Sequence, residues 1–510
     1  MKPAVLPFLA AIGLCCSAVA HADAASEASA AKLFDDLSGN AAQLRVFLQA
    51  MPKGGDLHNH LGGTPYAEDY LELAAQSGLC VDAVGLAIVP PPCPADRAIA
   101  TMAEREPFAF ARLINSLSTR GVQRGVGANE ASGHTQFFSS FERVGPAYTA
   151  DIARWIAVAR SSAARDKVSY VELMHNPRAI VEYAFAAKDE LTDETQLAAI
   201  YQREIGGIAP LLDKAVAELD RDEAASAKRL GCGTAKADPA CEVAIHYLTF
   251  AWRGVPPAQA FRSLIAGFAL AAKDPRFVGI NIVQPEDDPI ALRDYDLHMA
   301  MFRFLEAKYP AVPVTMHAGE LTLGLVRPHD LRDHIAKAVA SGARRIGHGT
   351  DIAFEDDATA TMATMARQGI AVEVNLSSAA VILGVKGGDH PLHLYRSMGV
   401  PMVLSTDDMG VLRSDMTHEY QRAASEQGLR YRELKALARA SLEYSFIPGA
   451  SLWMDRAIGT ATRPCAAALT DPACVRFTAS SEKARLQADL ESRFDRFEHS
   501  LDPFTQASRQ

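Results

Sequence analysis

Short apolar runs alternate with longer amphipathic stretches along most of this chain. Strand-like runs fall at 168–174, 243–251, 277–283, 312–316, 345–347, 370–376 and 400–405, and 53–57 adds one more near the start. Between most of them, at 292–309, 331–341, 357–368 and 393–398, apolar residues recur with helical spacing. Eight strands separated by helices predict an α/β fold, a (β/α)8 TIM-type barrel, whose functional groups gather at the C-terminal ends of the strands.

Two stretches exceed what a minimal barrel needs. Residues 79–165, with helices expected at 104–117 and 147–164, predict a helical insertion after the first strand, and 184–241 predict another after the second. Residues 23–50 are Ala-rich and read as an N-terminal helical segment, while 441–510 form a C-terminal helical extension with a helix at 480–500, preceded by one at 432–444. The candidate functional segments run from residue 58 to residue 408, so 23–510 read as a single domain built around one site. Insertions on the functional face of a barrel commonly shape lids and pockets.

The first residues read as an export signal. Lys2 precedes an apolar run at 4–20 that ends in Ala20-His21-Ala22, the pattern of a signal peptide (1–22) cleaved after Ala22, with Ala20 as the alternative. The run is short and Ala-rich for a membrane anchor, and Leu14 before Cys15 does not suit a lipoprotein signal. A periplasmic or secreted protein without a membrane anchor after cleavage is therefore expected. Six cysteines remain, in three sequence-local couples: Cys80 with Cys93, Cys232 with Cys241, and Cys465 with Cys474. Fifteen pairings are possible for six cysteines, but close couples flanking polar or Pro-containing loops suggest disulfides formed in an oxidising compartment. None of the couples has the C-x-x-C spacing of zinc ligands.

Charge narrows the partner class. With 510 residues, 49% hydrophobic, and a net charge of −10, the chain can bury a large core but lacks the basic surface by which proteins bind a nucleic-acid polymer. A small molecule fits better. Nothing in the sequence sets an oligomeric state.

Four segments carry candidate chemistry: Asp56-Leu57-His58-Asn59-His60, His317-Ala318-Gly319-Glu320, Gly347-His348-Gly349 and Thr406-Asp407-Asp408. Alternate residues of a strand share a face, so His58 and His60 can present two imidazoles to one ion. His317 and Asp407 at other strand ends complete a His, His, His, Asp set suited to a divalent metal of borderline softness such as Zn²⁺. Each segment alone has an ordinary reading as well: solvated loop histidines, a surface Asp-Asp turn, a salt-bridged Glu320, a core His348. Their joint occurrence at strand ends favours one site.

These segments resemble the adenosine deaminase family of metal-dependent amidohydrolases. The similarity rests on Met51-Pro52-Lys53 leading into His58-Asn59-His60, on His317-Ala318-Gly319-Glu320, on Arg345-Ile346-Gly347-His348-Gly349 and on Ser405-Thr406-Asp407-Asp408. Tyr170-Val171-Glu172-Leu173, Asn176-Pro177 and Met416-Thr417-His418-Glu419-Tyr420 support it, in order, from about residue 51 to 420. The leader and the early insertion suggest the secreted branch or a bacterial counterpart. The resemblance implies one zinc per chain on His58, His60, His317 and Asp407, with His348 orienting a water and helping take its proton. Glu320 would donate a proton to purine N1, Asp408 would hold the ring, and His60, Gly62, Gln284 and Gly319 would lie against substrate.

Departures from the family pattern concern substrate identity. Leu61-Gly62-Gly63 stands where relatives have Leu-Asp-Gly, so the residue that reaches a ribose hydroxyl is missing. Gln284 replaces a glycine whose backbone approaches the purine, and Asn375-Leu376-Ser377-Ser378-Ala379 is a partial match. The expectation is a zinc-dependent hydrolytic deaminase of adenosine or a close adenine nucleoside. The alternatives are deamination of another adenine derivative (a nucleotide or 5′-modified nucleoside), hydrolysis of a cyclic amide, and an extracellular nucleoside-binding protein without turnover.

Overall fold

The eight apolar runs form one parallel sheet. Its strands are β1 (Gly54–His60), β2 (Val168–Met174), β3 (Ala244–Trp252), β4 (Phe277–Val283), β5 (Val314–Ala318), β6 (Ala343–His348), β7 (Ala371–Val374) and β8 (Met402–Leu404), hydrogen-bonded in chain order. The computed structural model describes residues 24–82, 84–94, 96–122 and 132–501, so the leader expected at 1–22 lies outside the described residues. Backbone contacts between Asn59 and Asp407 close the sheet into a barrel: the Asp407 amide donates to the His58 carbonyl (2.8 Å) and the His60 amide to the Asp407 carbonyl (3.2 Å). Strands β2 and β4 are buried along their whole length, as parallel strands covered by helices must be.

Strand ends differ from the expected ones where chemistry begins. β1 continues three residues past the expected 57, through His60, and β5 ends at Ala318 rather than 316, so His58, His60 and His317 sit inside strands. Burial explains the extension, because the polar side chains face the barrel interior and share no solvated loop. Helices Pro289–Glu306, Ala358–Gln368 and Tyr431–Glu443 match their expected positions. The stretch 147–164 is not one helix. Gly133–Ala150 and Ile152–Arg165 are separated at Asp151, whose carboxylate caps the second by accepting from the Arg154 amide (3.0 Å). The first insertion and the C-terminal extension also carry structure the periodicity did not show: a hairpin of Cys80–Asp82 with Ala87–Val89 in the one, and a hairpin of Trp453–Met454 with Ala457–Ala461 in the other.

The N-terminal segment is two helices, Ala24–Leu37 and Ala41–Ala50, with Asn40 capping the second through the Ala42 and Gln43 amides. Phe34 and Phe47 pack edge-on to each other and Phe47 reaches Phe497 (5.2 Å between centroids), tying both chain ends to the barrel. At the turn into β1, the fully buried Lys53 ammonium donates to the carbonyls of Leu48, Met51 and Asp166.

All three expected disulfides are present, Cys80–Cys93, Cys232–Cys241 and Cys465–Cys474. Cys465 and Cys474 are fully buried against Leu452 and Trp453, whereas the 232–241 couple is half-exposed. Closing such loops stabilises by about 2–3 kcal/mol in the chain-entropy view. Replacing both Cys465 and Cys474 by Ser is expected to lower the melting temperature more than the same change at Cys232 and Cys241, because it also strands two hydroxyls in an apolar cluster. Thermal unfolding of the two double variants without reductant checks the order.

Candidate metal centre and active site

Strands β1, β5 and β6 and the turn after β8 aim their side chains at one point in the barrel mouth. His58 Nε2 lies 3.1 Å from His317 Nε2, and His60 Nε2 lies 3.2 Å from the same atom. Asp407 Oδ1 is 3.4 Å from both His58 Nε2 and His60 Nε2. The corners of a tetrahedron around an ion with bonds of about 2.0–2.1 Å are about 3.3–3.4 Å apart, so the spacing is that of zinc-type ligands.

Hydrogen bonds on the far side of the rings test whether an ion fits. His58 Nδ1 is 2.6 Å from Glu373 Oε2, and His317 Nδ1 is 3.0 Å from Asn281 Oδ1. With those outer nitrogens carrying the proton, neutral rings would turn two Nε2 lone pairs toward each other and toward the Asp407 carboxylate. A cation between them removes that repulsion, and the residues fit one. The donors that converge within 4.8 Å are those of His58, His317, His348 and Asp407, and in a second group those of His60, Asp407 and Asp408, so the expected set has His60 where the first group has His348.

The local backbone is bent to make this convergence. Asp407 (φ 58°) and His348 (φ 69°) occupy the left-handed region that non-glycine residues seldom adopt. Close packing dictates two glycines nearby. A Cβ on Gly347 would lie 2.7 Å from His58 Cε1, and one on Gly63 would lie 1.6 Å from Asp408 Oδ1.

Around the ligands the titratable groups are driven apart. Burial, then the negative charges of Asp407 and Glu286, push the Glu320 carboxyl well above the usual range, so it holds its proton. Burial likewise depresses His348 to about 3, leaving it a neutral imidazole whose Nδ1 stands 3.5 Å from Glu320 Oε1. Burial and the adjoining Asp407 raise Asp408. Glu373 resists burial because Arg345 and His58 outweigh it, and it stays ionised with a pKa of about 2. The arrangement thus offers a proton-bearing carboxyl, a neutral imidazole and a cation site side by side.

Two of the departures take a definite form. Gln284 adopts φ 84°, so the backbone follows the path a glycine would, and its side-chain oxygen accepts the Gly254 amide (2.9 Å). At Gly62 a Cβ would lie 3.6 Å from Tyr148 Cε2, and the Tyr148 hydroxyl is 3.2 Å from His175 Nδ1. An aromatic ring from the first insertion thus stands beside the position where relatives have an aspartate.

Sequence reasoning missed the residues that hold the ligands. Glu373 on β7 steers His58 and is paired with Arg345, which also bridges to Glu172; Asn281 on β4 steers His317. A charged or amide side chain inside an otherwise apolar strand was the available signal.

Comparison with known proteins agrees with this geometry. The sequence pattern of the family described as Adenosine deaminase matches residues 128–452. The chain belongs to that family. Adenosine deaminase of Erwinia tasmaniensis is 32% identical over 146 residues, 28% of this chain and 41% of that one. For adenosine deaminase of Salmonella typhimurium the figures are 36% over 135 residues, 26% and 38%. The matched stretch thus spans about two fifths of the length of these adenosine deaminases. Among solved folds, Arabidopsis ADAL complexed with IMP superposes with TM-score 0.53 at 18% identity, covering 88% of this chain and 99% of that one. Arabidopsis N6-mAMP deaminase MAPDA gives 0.50 at 20%, with 79% and 96% covered. These two share the barrel fold of the family.

Two outcomes are expected. A ligand present at a thousand times its Kd stabilises a fold by about 4 kcal/mol, so dialysis against a chelator should lower the melting temperature and added Zn²⁺ should restore it. Gly63→Ala forces Asp408 aside at a cost of about 1–3 kcal/mol, seen as a lower denaturant midpoint with metal content unchanged.

Proposed function

We propose that this adenosine deaminase family member is an exported, zinc-dependent aminohydrolase converting adenosine or a close adenine nucleoside to the inosine-type product and ammonia. The observation that carries the reading is Glu320: a carboxyl kept protonated by burial, beside a neutral His348 and a four-donor metal centre. A carboxyl in that state suits a group that donates to a ring nitrogen of the substrate.

His58, His60, His317 and Asp407 would hold the zinc. Bound there, zinc acidifies a water, bringing its pKa to about 7, and so supplies a nucleophile at neutral pH. His348, with its Nε2 buried and without a protein partner, accepts the proton that leaves the water. Glu320 donates to purine N1, which makes C6 electrophilic, and Asp408, with Oδ1 buried and unpartnered, meets the ring and keeps it in register. The water oxygen would bond to C6, the proton held by His348 would pass to the 6-amino group as the C6–N bond breaks and ammonia leaves, and the hydroxyl proton shed at C6 would restore Glu320.

Gly62 favours a second reading within the same chemistry. Without a carboxylate to bind the ribose 5′-hydroxyl, an adenine derivative with a different 5′ group becomes a competing substrate. Two of the fold relatives above carry IMP or N6-mAMP in their descriptions, and an AMP-type substrate belongs in the comparison. Export is supported by the expected leader and the three disulfides; among the described residues no helix is long and apolar enough to cross a membrane.

Loss of adenosine absorbance is the direct test, run beside 2′-deoxyadenosine, AMP and 5′-methylthioadenosine. Zinc-loaded, folded protein that leaves all four unchanged would overturn the proposal. Glu320→Gln is expected to keep stoichiometric zinc while kcat falls by about 10²–10⁴, the usual contribution of a general acid; undiminished turnover would show that Glu320 is not the donor.

A further inference from the structure

We propose that Arg253 and Glu286 are positioning residues that clamp the two ends of the His317-Ala318-Gly319-Glu320 segment, setting the distance between metal ligand and proton donor. The proposal rests on the reading of Glu320 given above.

Arg253 follows the last residue of β3, and Glu286 lies just beyond the end of β4. Each is 1% exposed, and Arg253 Nη1 stands 3.5 Å from Glu286 Oε1. Each also bonds a main-chain atom of the β5 end. Arg253 Nη2 donates to the His317 carbonyl, and Glu286 Oε2 accepts the Glu320 amide at 2.8 Å. One charged pair therefore grips the carbonyl at the start of the segment and the amide at its end. The middle is pinned by backbone alone: the Ala318 carbonyl accepts the Gly349 amide (3.0 Å), and the Gly319 carbonyl accepts those of Thr350 (2.8 Å) and Asp351 (3.1 Å).

Glu286 is itself fixed from behind. His334 Nδ1 is 2.7 Å from Glu286 Oε1, the His334 ring stacks on Tyr295 at 3.8 Å and 10°, and the Tyr295 hydroxyl donates to the His334 carbonyl (2.8 Å). The Arg253 amide donates to the Val283 carbonyl (3.1 Å), joining β3 to the end of β4.

A contribution to stability alone is a poor account of this pair. Two buried charges lose their hydration, and apolar side chains of similar volume commonly stabilise as well or better. Fixed placement of the two groups is what the pair supplies that apolar packing would not. A displacement of about 1 Å at a reacting group lowers rates by about 100-fold.

The test compares wild type with Glu286→Ala, Glu286→Gln and Arg253→Lys, each loaded with zinc. Hydrogen exchange of the peptide covering 317–321 reads the clamp without substrate. In Glu286→Ala it should quicken by about tenfold, the sign of a local opening, with zinc content unchanged. kcat for adenosine should fall by about 100-fold while KM stays within about threefold. Glu286→Gln, whose amide oxygen still accepts the Glu320 amide, should recover kcat to within about tenfold of wild type. A Lys at 253 reaches the His317 carbonyl or Glu286 but not both, so it should show the same changes in smaller measure.

Unchanged exchange, unchanged kcat, loss of zinc in step with kcat, or a Gln variant no better than Ala would each overturn the proposal. If Glu286→Ala does not fold, Glu286→Gln and Arg253→Lys decide the matter by the same readings. Should wild type turn over none of the four adenine compounds, the functional reading falls, and exchange in 317–321 still judges the clamp.

Discussion

Convergence of His58 and His317, 3.1 Å apart beside the Asp407 carboxylate, sets the terms for this molecule. Each ring is fixed from its far side, His58 by Glu373 and His317 by Asn281. The support runs deeper into the barrel. Glu373 accepts from Thr315 and Arg345, and Arg345 crosses to Glu172, which accepts from the Tyr170 hydroxyl and the Phe446 amide. Arg345 also lies 3.7 Å over the Phe446 ring. A buried cation between two buried carboxylates keeps Glu373 charged, and a charged Glu373 keeps the outer proton on His58. The interior of this barrel is consequently a polar column, where most barrels are filled with branched apolar side chains.

Backbone strain sits at the same place. Left-handed conformations at a His and an Asp store about 1–3 kcal/mol each; His348 is the last residue of β6 and Asp407 lies in the turn after β8. The turn after β8 places Asp407 toward the ligand cluster and Asp408 toward Gly63, so one bend separates two adjacent carboxylates into two electrostatic states. Asp407 is held well below the ordinary range because its histidine neighbours outweigh burial, and Asp408 is held above it.

Much of this was legible in the sequence. Strand positions followed from apolar runs, since a parallel strand buried on both faces leaves that signature, and the residues that converge in the barrel mouth were legible because His and Asp at strand ends have few structural uses in combination. Local cysteine spacing foretold the disulfides. What escaped was long-range or small. Glu373, Asn281, Arg253 and Glu286 act through partners tens to hundreds of residues away, and no local pattern encodes a tautomer. The hairpins at 80–89 and 453–461 were hidden because strands of two to five residues carry too little periodicity. At Gln284 the residue type pointed to a reshaped loop, while the backbone retained the glycine-like conformation, because surrounding strands impose it.

The seam that closes the barrel runs through the metal ligands themselves: His58 and Asp407 join by main chain as well as by side chain. These residues are 349 positions apart, so nearly all of the intervening polypeptide must already be arranged before the pair can meet. A nascent or partly opened chain therefore lacks this convergence of donors, which is completed only as the barrel closes.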